Sequence, residues 1–458
     1  MARSFRQRLM LTTAAFMMLA VHVQADTLAD ALRLAYETNP SLAANRAALR
    51  ATDESVALAR AAMRPSISLS ATANFAQNPA LTSAITDTYS AALNASLTLY
   101  DGGQSRLALE AAKQVVLANR AGLRGVEQGI MLSAIISYVD VQRDSAAVGL
   151  ARNNVSLLTE QVQATRDRFD AGVITRTDVS LAEARLAGAQ ANLAAAQGML
   201  ARSNENYRAV IGVAPHNLAP RPPLPTLPAS LALAEAAAQA NHPQVIAALH
   251  GERAAMLDMQ RARAARGVTV QGQASVGASS APSPFGGSSN SVSITGSIPL
   301  YTGGALVSLV RQAGSVLERR MAETQDTRRA VSQNTAIAWA NLQVARSAIE
   351  ANRLQVQAAQ LAYEGSQEEA RLGARTTLDV LNAEQEKLNA QNSLNTAQRD
   401  AYVAGYNLLA AIGALTADQL NIGIPLYDPN VHYNQVRNAP GTDLGASRAI
   451  DAIADRWR

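Results

Sequence analysis

The sequence predicts a mainly α-helical chain that carries membrane-type β-strands, and three observations predict it. Four segments alternate apolar and polar residues over about ten to twelve positions, long proline-free helical stretches flank them, and the whole pattern occurs twice. Leu99-Tyr100-Asp101-Gly102-Gly103 returns 201 residues later as Leu300-Tyr301-Thr302-Gly303-Gly304. Asp178-Val179 returns as Asp379-Val380, and Ile211-Gly212 as Ile412-Gly413. A fixed offset held over more than one hundred residues is the mark of a duplicated architecture.

The strands come first. Ile67, Leu69, Ala71, Ala73 and Phe75 share one face against Ser66, Ser68, Ser70, Thr72 and Asn74, and Tyr89, Ala91, Leu93, Ala95, Leu97 and Leu99 oppose Ser90, Asn94, Ser96 and Thr98. In the second copy Val268, Val270, Ala274, Val276 and Ala278 oppose Thr269, Gln271, Gln273, Ser275 and Ser279, and Val292, Ile294 and Ile298 oppose Ser291, Ser293, Thr295 and Ser297. The length suits a tilted strand crossing a bilayer, although a soluble half-buried sheet gives the same alternation. Polar stretches near Asn78-Pro79 and from Pro282 to Asn290 read as exposed hairpin loops.

The helices decide between the two. Gly103 to Asp170 contains no proline, and at 1.5 Å per residue such a helix is about 100 Å long. Leu132, Val139 and Ala146 recur at sevens, as do Ile136, Leu150, Leu157 and Ala164, with Arg143 interrupting. From Gly304 to Leu372 the rows are Ile337, Val344, Ala351 and Ala358, with Ala340, Leu354 and Leu361. These are coiled-coil seams, and helices so long must pack side by side in a bundle or tube. Breaks at Gly172 and Gly373 lead into second long helices, about Thr177–Ile211 and Thr377–Ile412, and Asn39-Pro40 and His242-Pro243 mark equivalent bends before the strands.

The expected organisation is a signal peptide at 1–25, a first repeat at 26–213 with strands about 66–76 and 89–99, and a Pro-rich linker at 214–229. A second repeat follows at 230–414 with strands about 268–279 and 291–300, then a C-terminal tail at 415–458 expected to be mobile from Gly441. Arg3, Arg6 and Arg8, the apolar run Leu9–Val21 and Val23-Gln24-Ala25 give the signal its three parts. The formal charge of +4 falls to +1 when that segment, with three arginines and no acid, is removed. Nothing concentrates basic charge as nucleic-acid binding requires. The absence of cysteine excludes disulfides, thiolate metal sites and an N-terminal lipid anchor.

No catalytic constellation emerges. His22, His216, His242, His250 and His432 lack metal-ligand spacing, with His242 and His250 expected at the surface. Gly102-Gly103 and Gly303-Gly304 have no following Lys and read as strand-to-helix turns rather than phosphate loops. No cofactor is expected, so energy for any transport must come from another protein. Four strands cannot close into a membrane barrel, and two open edges in hydrocarbon would each leave on the order of ten unpaired backbone groups, at several kcal/mol apiece. The strands must be completed by other chains.

With Thr27-Leu28-Ala29-Asp30-Ala31-Leu32 and Asn39-Pro40 at the start, the paired Leu-Tyr-x-Gly-Gly elements and the Gly172 and Gly373 turns, the chain resembles the TolC outer-membrane factors of tripartite efflux and type I secretion systems. That resemblance implies a homotrimer in the outer membrane, with a twelve-stranded β-barrel continued by a twelve-helix periplasmic tunnel. It implies a periplasmic membrane-fusion adaptor and an inner-membrane ABC or RND transporter as partners, and outer-membrane lipid around the barrel. Pro425-Leu426-Tyr427-Asp428-Pro429, His432-Tyr433 and Val436-Arg437 resemble the tail motif of the type I secretion branch. Protein export is therefore the expectation. Small-molecule efflux with a proton-driven pump is the alternative, and a trimeric surface protein without transport is the rival from another class.

Thr175-x-x-Asp178 and Thr376-x-x-Asp379 have the spacing of capping boxes, which is a structural role in itself. The resemblance adds a second role, at the closed periplasmic entrance. There Asp178, with Thr177 beside it, matches an aspartate that holds the helices shut, Arg375 matches its arginine counterpart, and Asp379 matches an aspartate ring facing the lumen. Ala370 and Asn382 depart from the family pattern, standing where a tyrosine and a second ring aspartate are found.

Overall fold

The computed structural model describes residues 27–77, 85–280, 287–420, 423 and 425–438. The expected signal segment and the tail from Gly441 lie outside the described residues. The element order is α1 (Leu28–Thr38), α2 (Pro40–Ala61), β1 (Ser66–Gln77), β2 (Ile85–Tyr100), α3 (Gln104–Asp170) and α4 (Arg176–Ile211). The series then repeats as α5 (Leu231–Asn241), α6 (Pro243–Ala264), β3 (Thr269–Ser280), β4 (Gly287–Ser297), α7 (Ala305–Arg371) and α8 (Thr377–Ala411), followed by α9 (Pro429–Val436). Among the described residues, no helix is long and apolar enough to cross a membrane.

Local chemistry sets the boundaries. The Asn39 carboxamide accepts from the N–H groups of Ser41 and Leu42 at 3.0 and 3.3 Å, and Pro40, which has no N–H to satisfy, starts α2. In the second copy His242 takes the same role through Nδ1, accepting from Gln244 N–H, with Pro243 at the first turn of α6. Both His242 and His250 are half-buried rather than at the open surface, because one caps a packed helix and the other bonds Gln114 at 2.8 Å. Burial pushes the His242 imidazole below its ordinary range.

The chain forms two compact units, and both draw on both sequence copies. One takes residues 127–234 and 335–425 with the N-terminal segment through Leu42; the other takes 43–126, 235–334 and the tail from Leu426. Helices α3 and α7 each contribute to both.

In the unit that holds the sheet, the strand order is β1-β2-β3-β4, antiparallel throughout. Leu69 pairs Leu93, which pairs Val276, while Ala95 pairs Ala274, which pairs Val292. This register collects the apolar residues of all four strands on one face, where they remain exposed or half-exposed. The other face is polar and cross-bonded: Ser66 to Ser96 at 2.7 Å, Ser275 to Ser291 at 2.8 Å and Thr269 to Ser297 at 3.0 Å. Gly287 to Asn290, expected in a loop, instead belong to β4. They pair Ser279, Ala278, Gly277 and Val276 because the antiparallel partner already supplies the ladder. Among the described residues, β1 and β4 each keep one unpaired edge. In the same unit, Val56, Leu109 and Val116 form a core with Ala59, Ala112 and Tyr433.

In the other unit, α1 buries Leu28, Ala31, Leu32, Ala35 and Tyr36, one face at helical spacing. Its end is tied to the end of α4 by Thr38 Oγ1 donating to the Ile211 carbonyl and by the Asn39 amide donating to that of Val210. The Pro-rich segment is docked rather than free. Tyr138 Oη and Gln142 Nε2 both donate to the Ala219 carbonyl, at 2.7 and 2.5 Å, and Leu224 fills the space where Gly405 has no Cβ. On the part of α7 in this unit the buried residues include Ala338, Leu342, Ala359 and Tyr363. The heptad residues Ile337, Val344, Leu354 and Leu361, expected in a seam, are 50, 68, 66 and 69 % exposed, because the described residues of the chain do not supply the surface they would pack on.

Candidate functional site at the inter-helix turns

The two turns that join α3 to α4 and α7 to α8 lie in one unit and are built alike. Gly172 and Gly373 stand at φ 74° and 78°, the left-handed conformation that ends a helix without Cβ strain. After them, Val173 N–H reaches back to the Arg168 carbonyl at 2.9 Å and Ala374 N–H to that of Glu369 at 2.8 Å. Thr175 and Thr376 then cap the next helix from extended backbone, at ψ 159° and 157°.

Both capping boxes form. The Asp178 carboxylate accepts from Thr175 N–H at 3.0 Å and from its hydroxyl at 2.8 Å, and the same hydroxyl accepts from Asp178 N–H at 3.4 Å. For Thr376 and Asp379 the corresponding distances are 3.1, 2.7 and 3.2 Å. Hydrogen bonds from the threonine hydroxyl, then from its backbone, hold both carboxyls below the usual carboxylate range. The Arg375 charge adds to this for Asp379.

Arg375 bonds neither aspartate. Its Nε lies 2.5 Å from Glu369 Oε2, across its own turn. Asp178 and Arg375 are therefore both engaged locally in the single chain. Thr177 is exposed in the first turn of α4. Val173 and Leu372 leave apolar side chains open at the turns, 71 and 73 % exposed.

One to two helical turns farther along, contacts appear that the sequence did not announce. Arg185 Nη2 on α4 donates to Asn382 Oδ1 on α8 at 3.0 Å, so Asn382, which departs from the family pattern, is the partner of a cation. Leu381, beside it, is buried in a cluster with Leu158, Ala189, Val155 and Leu186. Within each coil, Arg166 on α3 pairs Glu183 on α4 at 2.5 Å, and Lys387 on α8 lies 4.0 Å over the Tyr363 ring on α7. Glu384, which the 201-residue offset matches to Glu183, has no arginine opposite and is buried; burial pushes its carboxyl up and Lys387 opposes this. The register of one helix against another creates these pairs, and that register is not written in either helix alone.

Among the described residues no three His, Cys, Asp or Glu side chains converge to hold a metal ion. The site is a pair of stiff turns with carboxylates fixed at helix N-termini, an arrangement for holding helix ends in place.

The family described as "Outer membrane efflux protein" matches residues 31–213 and again 236–414, once for each copy. The chain is 37% identical over 416 residues to the outer membrane efflux protein BepC of Brucella suis biovar 1 (strain 1330), covering 90% of this chain and 91% of that protein. It is 26% identical to the alkaline protease secretion protein AprF of Pseudomonas aeruginosa, covering 73% of this chain and 72% of that one. Its fold is similar to that of CusC, in crystal structures describing conformational changes in folding and transmembrane channel formation, with a TM-score of 0.76 at 19% identity over 85% of this chain and 92% of that one. With its two-faced sheet, its paired long helices and a family match over both copies, the chain belongs to the outer membrane efflux protein family, as an outer-membrane channel protein with a periplasmic helical part and not an enzyme.

Proposed function

We propose that this chain forms the exit duct of a tripartite system that exports proteins by type I secretion, with an inner-membrane ABC transporter and a periplasmic membrane-fusion adaptor. The observation that carries the duct is the four-stranded sheet with one apolar face, one polar face and two open edges. Three copies of four strands give a twelve-stranded barrel that has no edge, with lipid outside and water inside. The exposed row Ile337, Val344, Leu354 and Leu361 on α7 is then covered by a neighbouring copy.

What supports the secretion branch is the tail motif from Pro425 to Arg437, whose Pro429–Val436 stretch forms α9, together with the similarity to a protein named for alkaline protease secretion. Small-molecule efflux with a proton-driven pump is the second reading, favoured by the higher identity to a protein named for efflux. A gene deletion compared with its complemented strain separates them. Loss of a few proteins from the medium with unchanged sensitivity to toxic compounds supports secretion; sensitivity with an intact set of secreted proteins supports efflux and contradicts the first reading.

The turns carrying Asp178, Thr177, Arg375 and Asp379 are, in this reading, the periplasmic entrance. Since Asp178 and Arg375 are each bound within their own turns in the single chain, the latch we assign to them acts between neighbouring copies.

A further inference from the structure

We infer that Arg185 and Asn382 form a second tie that keeps the entrance closed, one inside each chain, joining the coil of α3 and α4 to the coil of α7 and α8. The inference rests on the entrance reading above and adds to it a pair of positioning residues. Its geometric basis is that the groups at the turns themselves do not cross between the coils. Asp178 is held by Thr175, Asp379 by Thr376, and Arg375 by Glu369. Arg166 and Glu183 join α3 to α4, and Lys387 and Tyr363 join α7 to α8, so these pairs stiffen each coil without joining it to the other.

Among the described residues, contacts in several places do cross. Far from the turns, Arg399 Nε on α8 reaches Asp140 on α3 at 2.7 Å, and Asn395 Nδ2 donates to the Arg143 carbonyl at 2.8 Å. Nearer the turns, Leu381 of α8 inserts among Leu158, Val155, Leu186 and Ala189 of α3 and α4. Directly beside that knob, the Arg185 guanidinium bonds the Asn382 carboxamide at 3.0 Å. Among the described residues this is the polar contact between the coils that lies closest to the turns. Asn382 sits about one helical turn beyond Asp379, and Arg185 about two turns beyond Asp178. A coil that swings outward at the turns while staying fixed at Arg399 and Asp140 must break the Arg185 to Asn382 bond and withdraw Leu381.

The two parts of this contact do different things. The Leu381 cluster supplies attraction without direction, whereas the bond from a cation to an amide oxygen is directional and fixes the register of α8 against α4. An exposed bond of this kind is weak, so it biases a closed state without locking it permanently. The tie is also asymmetric. By the 201-residue offset, Leu181 stands in the first copy where Asn382 stands in the second, and Glu386 stands where Arg185 does, so the duplicate positions cannot reproduce it. Each chain has one such hinge, between its two copies.

The test is planar-bilayer recording of the purified full-length protein with Arg185→Ala, Asn382→Ala, Asn382→Asp and the double variant Arg185→Ala with Asn382→Asp. The single alanine variants should each raise the open-to-closed ratio roughly two- to fivefold per tie lost. Asn382→Asp should lower it below wild type, because a carboxylate binds the guanidinium more strongly than an amide does. In the Arg185→Ala background that lowering should vanish. A packing role alone would not give opposite signs for Ala and Asp, nor make the Asp effect depend on Arg185. Unchanged gating in Arg185→Ala, or Asn382→Asp acting like Asn382→Ala, overturns the tie while leaving the duct intact; a wild-type protein that passes no current overturns the duct reading and the tie with it.

Discussion

His432 Nδ1 lies 3.1 Å from Asp53 Oδ2, and Asp53 has no exposed surface. This one contact joins the tail helix α9 to α2, and the neighbouring contacts reinforce it. Arg120 on α3 donates to Asn430 and stacks 4.9 Å over the Tyr433 ring, Arg60 on α2 donates to the Arg437 carbonyl and to Asn438, and Tyr433 closes the core of Val56, Leu109 and Val116. The tail is thus part of the fold as far as Asn438.

His432→Ala should release it. The variant leaves a buried carboxylate without this partner, at a cost of at least about 1–3 kcal/mol, and the helix is too short to hold itself. Trypsin cleavage after Arg437 should become faster in the folded protein while the long helices stay resistant. An unchanged cleavage rate would show that Arg120 and Tyr433 suffice.

The caps at the two turns should weaken in acid. Asp178 and Asp379 are held below the ordinary carboxylate range, so their contribution is fully present above the unfolded value near pH 4 and is lost as pH falls through the lower folded values. Thr175→Ala should move the Asp178 titration up toward the ordinary value and leave Asp379 unmoved, because each hydroxyl serves only its own box. Carboxyl carbon NMR of labelled aspartate in the purified protein reads both.

Glu384 has the opposite sign. Burial raises its carboxyl above the unfolded value, so the folded state loses stability as pH rises from the unfolded to the folded value, and the penalty persists above it. Glu384→Gln should therefore raise the unfolding temperature at pH 8, and the gain should disappear below about pH 4, where both states are protonated. A loss of stability at pH 8 would mean that the contact with Lys387 outweighs burial.

The docked Pro-rich segment makes a quantitative case. Tyr138→Phe removes one of two donors to the Ala219 carbonyl and should cost about 0.5–1 kcal/mol, whereas adding Gln142→Leu leaves that carbonyl without either donor and should bring the total to about 1–3 kcal/mol. Denaturant unfolding of the single and double variants measures the difference. Additive small losses would show that water replaces both donors.

Much of this fold was legible because its signals are local. The alternation at Ile67 to Phe75, the caps at Thr175 and Thr376 and the glycines at 172 and 373 are each decided by neighbours within a few residues. Two kinds of information were not. The start of β4 at Gly287 is set by the strand it pairs with, and its own residues, Gly, Ser, Ser and Asn, read as a turn. The pairing of Arg185 with Asn382 depends on the rotation of α4 against α8, which separation along the chain conceals. The heptad row Ile337 to Leu361 shows a further limit: periodicity identifies an apolar face but not whether the same chain covers it. For the same reason the resemblance points to Asp178 as the counterpart of Arg375, while within the single chain Glu369 is its partner.

The most direct measurement is the ionic current through purified protein in a planar bilayer, for wild type and for Asp178→Ala combined with Arg375→Ala. An exit duct with an entrance latch gives discrete channels in the wild type and a larger conductance in the double variant. A folded, membrane-inserted oligomer that passes no current in either form would contradict the account.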